Sequence, residues 1–289
     1  MKKTILSTAV ILGLGLSAFT PTNNVVFNTD NNKKMETPDN KKKVVALLKS
    51  IETGATEPVG YINPNKYIQH NLGVADGLAG FGALLSALPK NSAKVNTVRV
   101  FQDGDFVFAH TEYNFFGPKI GFDIFRFEDG KIVEHWDNLQ ETVTKTANGH
   151  TMIDGATAIK DINKTAENKA LVTKFVNDFL VNGDVSIIPN YIHPTAYVQH
   201  NPHIGDKLEG LQHALKYFAE NKIGFKYDKI HKVLGEGNFV LVVSEGQMAG
   251  VHSSFYDLFR VENGKIAEHW DTIEAIPTKE NWKNGNGKF

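Results

Sequence analysis

The sequence predicts an α+β fold present twice in one chain, each copy a set of helices packed on one face of an antiparallel sheet. Three observations predict it. The 289 residues divide more readily into two domains than one, at roughly 100–200 residues per domain. Residues 61–71, YINPNKYIQHN, return as residues 191–201, YIHPTAYVQHN, and residues 122–137, FDIFRFEDGKIVEHWD, return as residues 256–271, YDLFRVENGKIAEHWD. The offsets, 130 and then 134 residues, mark a duplicated domain, far longer than a solenoid repeat of about 20–50 residues. Within each copy helical spacing comes first and strand-like runs later, the order of an α+β domain.

Residues 1–20 read as a secretory signal peptide: Lys2 and Lys3 form a basic start, and residues 5–19 are an uncharged apolar run shorter than the about 20 residues of a membrane span. Residues 21–43, rich in Asn, Lys and Pro, read as a flexible linker. The first domain is placed at residues 44–145, a polar linker at 146–164 and the second domain at 165–289. In the second copy, Ala170, Leu171, Phe175, Val176 and Phe179 are spaced for a helix over 165–181, closed by Asn182-Gly183. The first copy offers only a shorter match, 42–51, so its pocket is expected to be less complete. Residues 208–218 and 78–88 read as a second helix in each copy. Strands follow at 94–102, 106–115, 120–127 and 131–140, separated by turns that contain Gly104, Gly117 and Gly130.

Composition excludes several function classes. With 31 Lys+Arg against 32 Asp+Glu, the chain lacks the basic excess of a nucleic-acid binder. The absence of Cys removes disulfides, thiol nucleophiles and Cys-based metal sites. There is no phosphate-binding Gly-Lys-[Ser/Thr] loop and no G-x-S-x-G setting around Ser253-Ser254. His70, His110, His135 and Asp123 are residue types that bind zinc, but no H-x-x-x-H or H-E-x-x-H spacing occurs, so no metal site and no cofactor are assigned.

Strand alternation puts Asp123, Phe125 and Phe127 on one face and Phe122, Ile124 and Arg126 on the other. A three-residue loop over Glu128-Asp129-Gly130 sets Asp123 opposite His135; a two-residue Asp129-Gly130 loop sets it opposite Trp136. The first register is preferred because it pairs two polar side chains, and the same logic pairs Asp257 with His269. A carboxylate raised in pKa by an apolar pocket is a general base near neutral pH.

The two repeated blocks, ending in Q-H-N and E-H-W-D, resemble the SnoaL-like polyketide-cyclase branch of the NTF2-like superfamily, over both copies. The resemblance implies a cone-shaped domain, helices around a curved sheet, with an apolar pocket for a small carbonyl-bearing or cyclic molecule. It also implies pairing of the outer sheet faces, here as an intrachain pseudo-dimer. Its expected chemistry is cofactor-free: aldol-type cyclisation, isomerisation or dehydration. Asp123 and Asp257 match the family's acid/base carboxylate, and His110 resembles its neighbouring pocket histidine. Val243 stands in place of His110 in the second copy, which puts catalysis there in doubt. His135 and His269 are candidate orienting groups. His70, His200, Tyr67, Tyr197, Glu112, Trp136 and Trp270 are candidate ligand-binding residues. Structural alternatives stand beside these: Asp123 and Asp257 as partners of His135 and His269, or of Arg126 and Arg260 if the register slips, the four histidines as fixed packing groups, the tryptophans as core or interface. A non-catalytic binding module outside the cytoplasm is the competing function, with a small apolar molecule, and no nucleic acid or membrane span, as partner.

Overall fold

The computed structural model describes residues 39–89 and 92–289. The leader and most of the tether, as far as residue 38, lie outside the described residues. Among the described residues no helix is long and apolar enough to cross a membrane.

Helix α1 (Asn40–Thr53) starts inside the stretch read as linker, because Asp39 caps it: its carboxylate accepts from Lys42 N at 2.8 Å. Gly54, at φ 70°, ends it. Val44, Leu47 and Leu48 face the core. Then come β1 (Ile68–Gln69), α2 (Gly77–Ala87), β2 (Lys94–Asp103), β3 (Phe106–Asn114), β4 (Pro118–Glu128) and β5 (Lys131–Glu141). The second copy repeats this order as α3 (Thr165–Phe175), α4 (Ile188–Tyr191), β6 (Val198–Gln199), α5 (Lys207–Glu220), β7 (Phe225–Glu236), β8 (Phe239–Met248), β9 (Val251–Glu262) and β10 (Lys265–Ala275). Here α3 runs on as a π-helical stretch, Val176–Val181. The glycines Gly80 and Gly210 let α2 and α5 sit against the preceding loop: a Cβ on Gly80 would lie 1.8 Å from Ala75 O.

The sheets run β1-β5-β4-β3-β2 and β6-β10-β9-β8-β7. They are not wholly antiparallel, since β1 pairs parallel to β5 and β6 parallel to β10. That edge pairing joins the two sequence blocks: Gln69 lies beside His135, and Gln199 beside His269.

Neither sequence-derived register is the observed one. The hairpin turn is the two-residue Asp129-Gly130, with φ 49° and 73°, as a type I′ turn requires. A bulge then inserts Val133, because Phe127 pairs with Ile132 but Arg126 pairs with Glu134. Asp123 therefore faces Asp137, and in the second copy the bulge at Ala267 sets Asp257 opposite Asp271.

The outer faces of the two sheets pack together. Phe101, Phe108, Phe122, Ile124 and Trp136 of the first meet Leu234, Phe239, Leu241, Tyr256, Leu258 and Trp270 of the second. The contact is reciprocal, as in an isologous dimer. Lys232 Nζ lies 4.1 Å from the Trp136 ring and the Arg99 guanidinium 4.3 Å from the Trp270 ring, cation–π contacts made by equivalent positions of opposite copies. On its other side each indole stacks on a histidine, His70 at 4.7 Å and His200 at 4.6 Å. Trp270→Ala is expected to cost about 3–5 kcal/mol of stability, read as a lower midpoint of urea unfolding.

The stretch read as a polar linker is a bonded strap. Ala147 N donates to Pro202 O at 2.8 Å, and Asn148 Nδ2 donates to Asn201 O at 2.8 Å and Ile204 O at 2.9 Å. The C-terminal segment does the same to the first copy. Lys283 N donates to Leu72 O at 2.8 Å, and Asn284 Nδ2 donates to Asn71 O at 2.7 Å and Val74 O at 2.9 Å. Each copy thus sends its trailing segment across to the other.

Candidate functional site

Each copy gathers the same side chains on the inner face of its sheet. In the second, Asp257 comes from β9, His269 and Asp271 from β10, Gln199 from β6, Asn201 and Tyr197 from the flanking loops, and Tyr227 from β7. His269 Nε2 lies 3.1 Å from Asp257 Oδ1, across a diagonal of the ladder. The Tyr227 hydroxyl donates to Asp257 at 3.2 Å. His269 Nδ1 meets Gln199 Oε1 at 2.9 Å, and the same oxygen accepts the Asn201 N–H at 2.9 Å. A backbone N–H needs an acceptor, so the amide oxygen is fixed there and Nδ1 must donate to it. The Nε2 side is then left to share one proton with Asp257. Asn201 Nδ2 donates to Asp271 Oδ2 at 2.7 Å, whereas Asp271 Oδ1 has no hydrogen-bond partner although it is buried.

The first copy makes the same Asp–His, His–Gln and Asn–Asp contacts, but its tyrosine comes from a different strand: Tyr113 lies on β3, whereas Tyr227 lies on β7, the counterpart of β2. His135 Nε2 is 3.2 Å from Asp123 Oδ1, Tyr113 donates to Asp123 Oδ2 at 2.6 Å, His135 Nδ1 donates to Gln69 Oε1 at 3.0 Å, and Asn71 Nδ2 donates to Asp137 Oδ2 at 2.6 Å.

Burial raises the carboxyls of Asp123 and Asp271 above the usual range. Burial pulls His269 down, but the Asp257 hydrogen bond and the Asp271 and Asp257 charges outweigh it and leave the imidazole above its ordinary value. Burial, reinforced by Asp257, keeps the Tyr227 hydroxyl protonated. A histidine raised in the folded state retains its proton where the unfolded chain's releases it. Its stabilisation is complete below about pH 6.5 and is lost as pH rises through the folded value. The stability gap between wild type and His269→Gln is therefore expected to narrow from pH 6 to pH 9 in urea unfolding series.

The copies differ in space. A cavity of about 630 Å³ opens in the second, walled by Phe175, Phe179, Leu211, Ala214, Phe255 and Phe259 and ending on Asp257, His269 and Asp271. Its counterpart in the first is about 80 Å³. Phe81 and Leu84 stand where the second copy has Leu211 and Ala214, and Phe115 adds a further ring at the first pocket's wall. The π-helical stretch after Phe175 carries Phe179 and Leu180 into the larger cavity, a helix irregularity frequent at functional sites.

Several sequence candidates lie elsewhere. His110 is fully buried on the outer face, stacked 4.2 Å from Phe122 and 3.3 Å from Arg99. Burial and then the Arg99 charge hold it well below its usual value. Alternation puts it opposite in sense to Asp123, and the His110/Val243 difference falls within the interface between the sheets. Trp136 and Trp270 are interface residues for the same reason. His70 and His200 also turn outward: His70 meets Gly287 O at 2.8 Å and Glu134 at 3.0 Å, and His200 meets Thr151 O at 3.1 Å and Glu268 at 2.9 Å. Glu112 is exposed beside Asn96. Arg126 and Arg260 pair with Glu134 and Glu268, not with the aspartates. Tyr67 and Tyr197 do line the pockets.

Sequence reasoning missed Asp137, Asp271, Gln69, Gln199, Tyr113 and Tyr227. For the Asp and Gln residues the signal was in the blocks themselves, since Q-H-N and E-H-W-D alternate inward and outward: Gln, Asn, His and Asp point in, and the other His and Trp point out; Tyr113 and Tyr227 lie outside both blocks.

Among the described residues, three clusters have donor atoms within 4.8 Å of one another and residue types that could hold a metal: Asp123–His135–Asp137, Asp257–His269–Asp271 and His150–Asp154–His200. In the last, His200 is already held between Asp154 at 2.8 Å and Glu268 at 2.9 Å.

Residues 172–269 match the SnoaL-like domain model. No curated protein matches the sequence significantly. Among solved structures, a protein of unknown function with a cystatin-like fold from Xanthomonas campestris is similar at 24% identity and a TM-score of 0.33, over 39% of this chain and 95% of that one. A putative polyketide cyclase from Bacillus cereus is similar at 21% identity and a TM-score of 0.30, over 34% and 72%. A putative ketosteroid isomerase from Kribbella flavida is similar at 11% identity and a TM-score of 0.32, over 41% and 90%. Residues 172–269 of the second copy thus form a SnoaL-like domain, and the internal repeat carries the same sheet order, with the aspartate–histidine–aspartate cluster, into the first copy.

Proposed function

We propose that this is an exported protein whose second domain binds a small apolar, carbonyl-bearing or cyclic molecule and moves a proton on it without a cofactor. The observation that carries the reading is the cavity of about 630 Å³ ending on Asp257, His269 and Asp271. Asp257 is the base that takes a proton from carbon beside the carbonyl. His269, oriented by Gln199, keeps a positive charge next to it, Tyr227 holds the base through its own hydroxyl proton, and the Tyr197 hydroxyl, which accepts from Gln199 Nε2, keeps its proton for the developing oxyanion. The first domain, its pocket filled, serves as the fused partner that covers the outer sheet face.

A second reading, binding without turnover, is favoured by one fact. Asp257 is 1% exposed and already engaged by His269 and Tyr227. The two readings separate in D₂O. A panel of small cyclic ketones incubated with the full chain should show protein-accelerated exchange of the protons beside the carbonyl, followed by NMR. Ligands that bind without any exchange would leave a binding module.

A further inference from the structure

Both constellations share the Asp–His–Asp cluster with its Gln and Asn partners, and they differ in the cation beside the second aspartate. In the first copy the C-terminal strap ends by burying Lys288, whose Nζ donates to Glu274 Oε2 at 2.6 Å and stands 3.8 Å from Asp137 Oδ1. Lys288 is 5% exposed. The strap that crosses to the second copy has the same bonding frame: Asn148 answers to Asn284, and Thr151 O to Gly287 O, each of these carbonyls accepting from the equivalent histidine. The next residue is Lys288 in one strap and Met152 in the other. Met152 is 2% exposed and its sulfur accepts from Val143 N, so it brings no charge. Asp271 Oδ1 is left buried and without a partner, and Asp271, 6% exposed, lines the large cavity.

Asp137 Oδ1 is likewise buried without a hydrogen-bond partner, but Lys288 Nζ stands 3.8 Å from it; among the described residues no lysine or arginine forms an ion pair with Asp271, and the Asp257–His269 pair shares its own proton. An unanswered buried carboxylate oxygen is costly. His203, whose charge acts on Asp271, is exposed, and its ring is not a hydrogen-bond partner of that oxygen. In the first copy this position is Gly73.

We propose that the ligand of the second domain carries a protonated amine on an apolar body, the ammonium seated against Asp271 Oδ1 in the role that the chain's own Lys288 fills in the first domain. The proposal rests on the reading of the second cavity as the ligand site and names the ligand's polar end. An organic ammonium fits better than a bare metal ion because Phe, Leu, Ile and Ala side chains make up most of the rest of the cavity wall, which accepts a hydrocarbon body. A charge-assisted N–H···O⁻ bond there is stronger than a neutral one.

The test is calorimetric titration of the full chain at pH 7 with naphthylmethylamine and, separately, with naphthylmethanol, of nearly the same shape and no charge. The amine is expected to bind tighter by on the order of tenfold or more, and that preference should shrink to about twofold or less in Asp271→Asn. Met152→Lys should remove it as well, by supplying the ammonium from the strap as in the first copy; this variant carries the test if Asp271→Asn does not fold. Equal binding of both probes to the wild type overturns the amine proposal and leaves the cavity a ligand site. Binding of neither overturns both. Tight, Asp271-dependent binding of Zn²⁺ or Mn²⁺ alone, displacing the amine, would make the cluster a metal site and overturn the proposal too.

Discussion

Asp257→Asn is expected to lower the ketone-exchange rate by about 10²–10⁴, the range a positioned general base contributes, while Asp123→Asn changes it by less than about twofold. The two aspartates have the same partners: a tyrosine hydroxyl, a histidine Nε2, and a second aspartate directly across the ladder. What separates them is room beside them, about 630 Å³ against about 80 Å³. Asn keeps the shape and accepts from Tyr227 but cannot take a proton at neutral pH. A fall in both variants would mean that the first domain contributes to turnover. A fall in neither would mean that Asp257 is structural. Both chains should be compared by thermal unfolding, because removing one member of a buried hydrogen-bonded pair carries its own cost.

Building the first domain's wall into the second should close it. Ala214→Leu together with Leu211→Phe places on α5 the side chains that α2 carries as Leu84 and Phe81. Binding of an apolar fluorophore is expected to weaken by more than about tenfold, since the added groups occupy volume the probe needs. Stability should hold or rise, because the new methylenes enter empty space rather than a filled core. If binding is unchanged, the fluorophore sits elsewhere, and the cavity loses its claim.

Much of the fold was legible because the duplication let two noisy patterns support one reading. The strands over residues 94–141 emerge within about two residues of their alternation-based bounds, since the turns at Gly104, Gly117 and Gly130 each need a positive φ. The register was not legible. The turn has two residues and not three, and a bulge at Val133, which leaves no mark in a strand whose hydrophobic pattern continues through it, then moves Asp123 from Trp136 to Asp137. The pairing of Asp123 with His135 survives only as a diagonal contact at 3.2 Å. The assignment of His110 to the pocket failed on parity: it and Asp123 sit on adjacent strands but project to opposite faces, and the sequence did not say which face was concave. Which copy would be open was legible only in part: the shorter helix match pointed to a less complete first pocket, but α1 spans Asn40–Thr53 and the first pocket is filled, while Val243 in place of His110 pointed away from the copy that is open. The decisive exchanges, Leu84 for Ala214 and Phe81 for Leu211, look conservative in a helix pattern and act only through the volume they fill. The straps escaped notice because little beyond an Asn-Gly pair repeats between them, at 148–149 and 284–285, although both make the same bonds.

The central claim is that one chain with two copies of this domain has a single working cavity, in the second. The most direct measurement is the binding stoichiometry of an apolar fluorophore titrated into the full chain at protein concentrations well above its Kd, repeated with the Ala214→Leu/Leu211→Phe chain. One equivalent per chain, lost in the double variant, is the predicted result. Two equivalents, or one that persists in the variant, would contradict it.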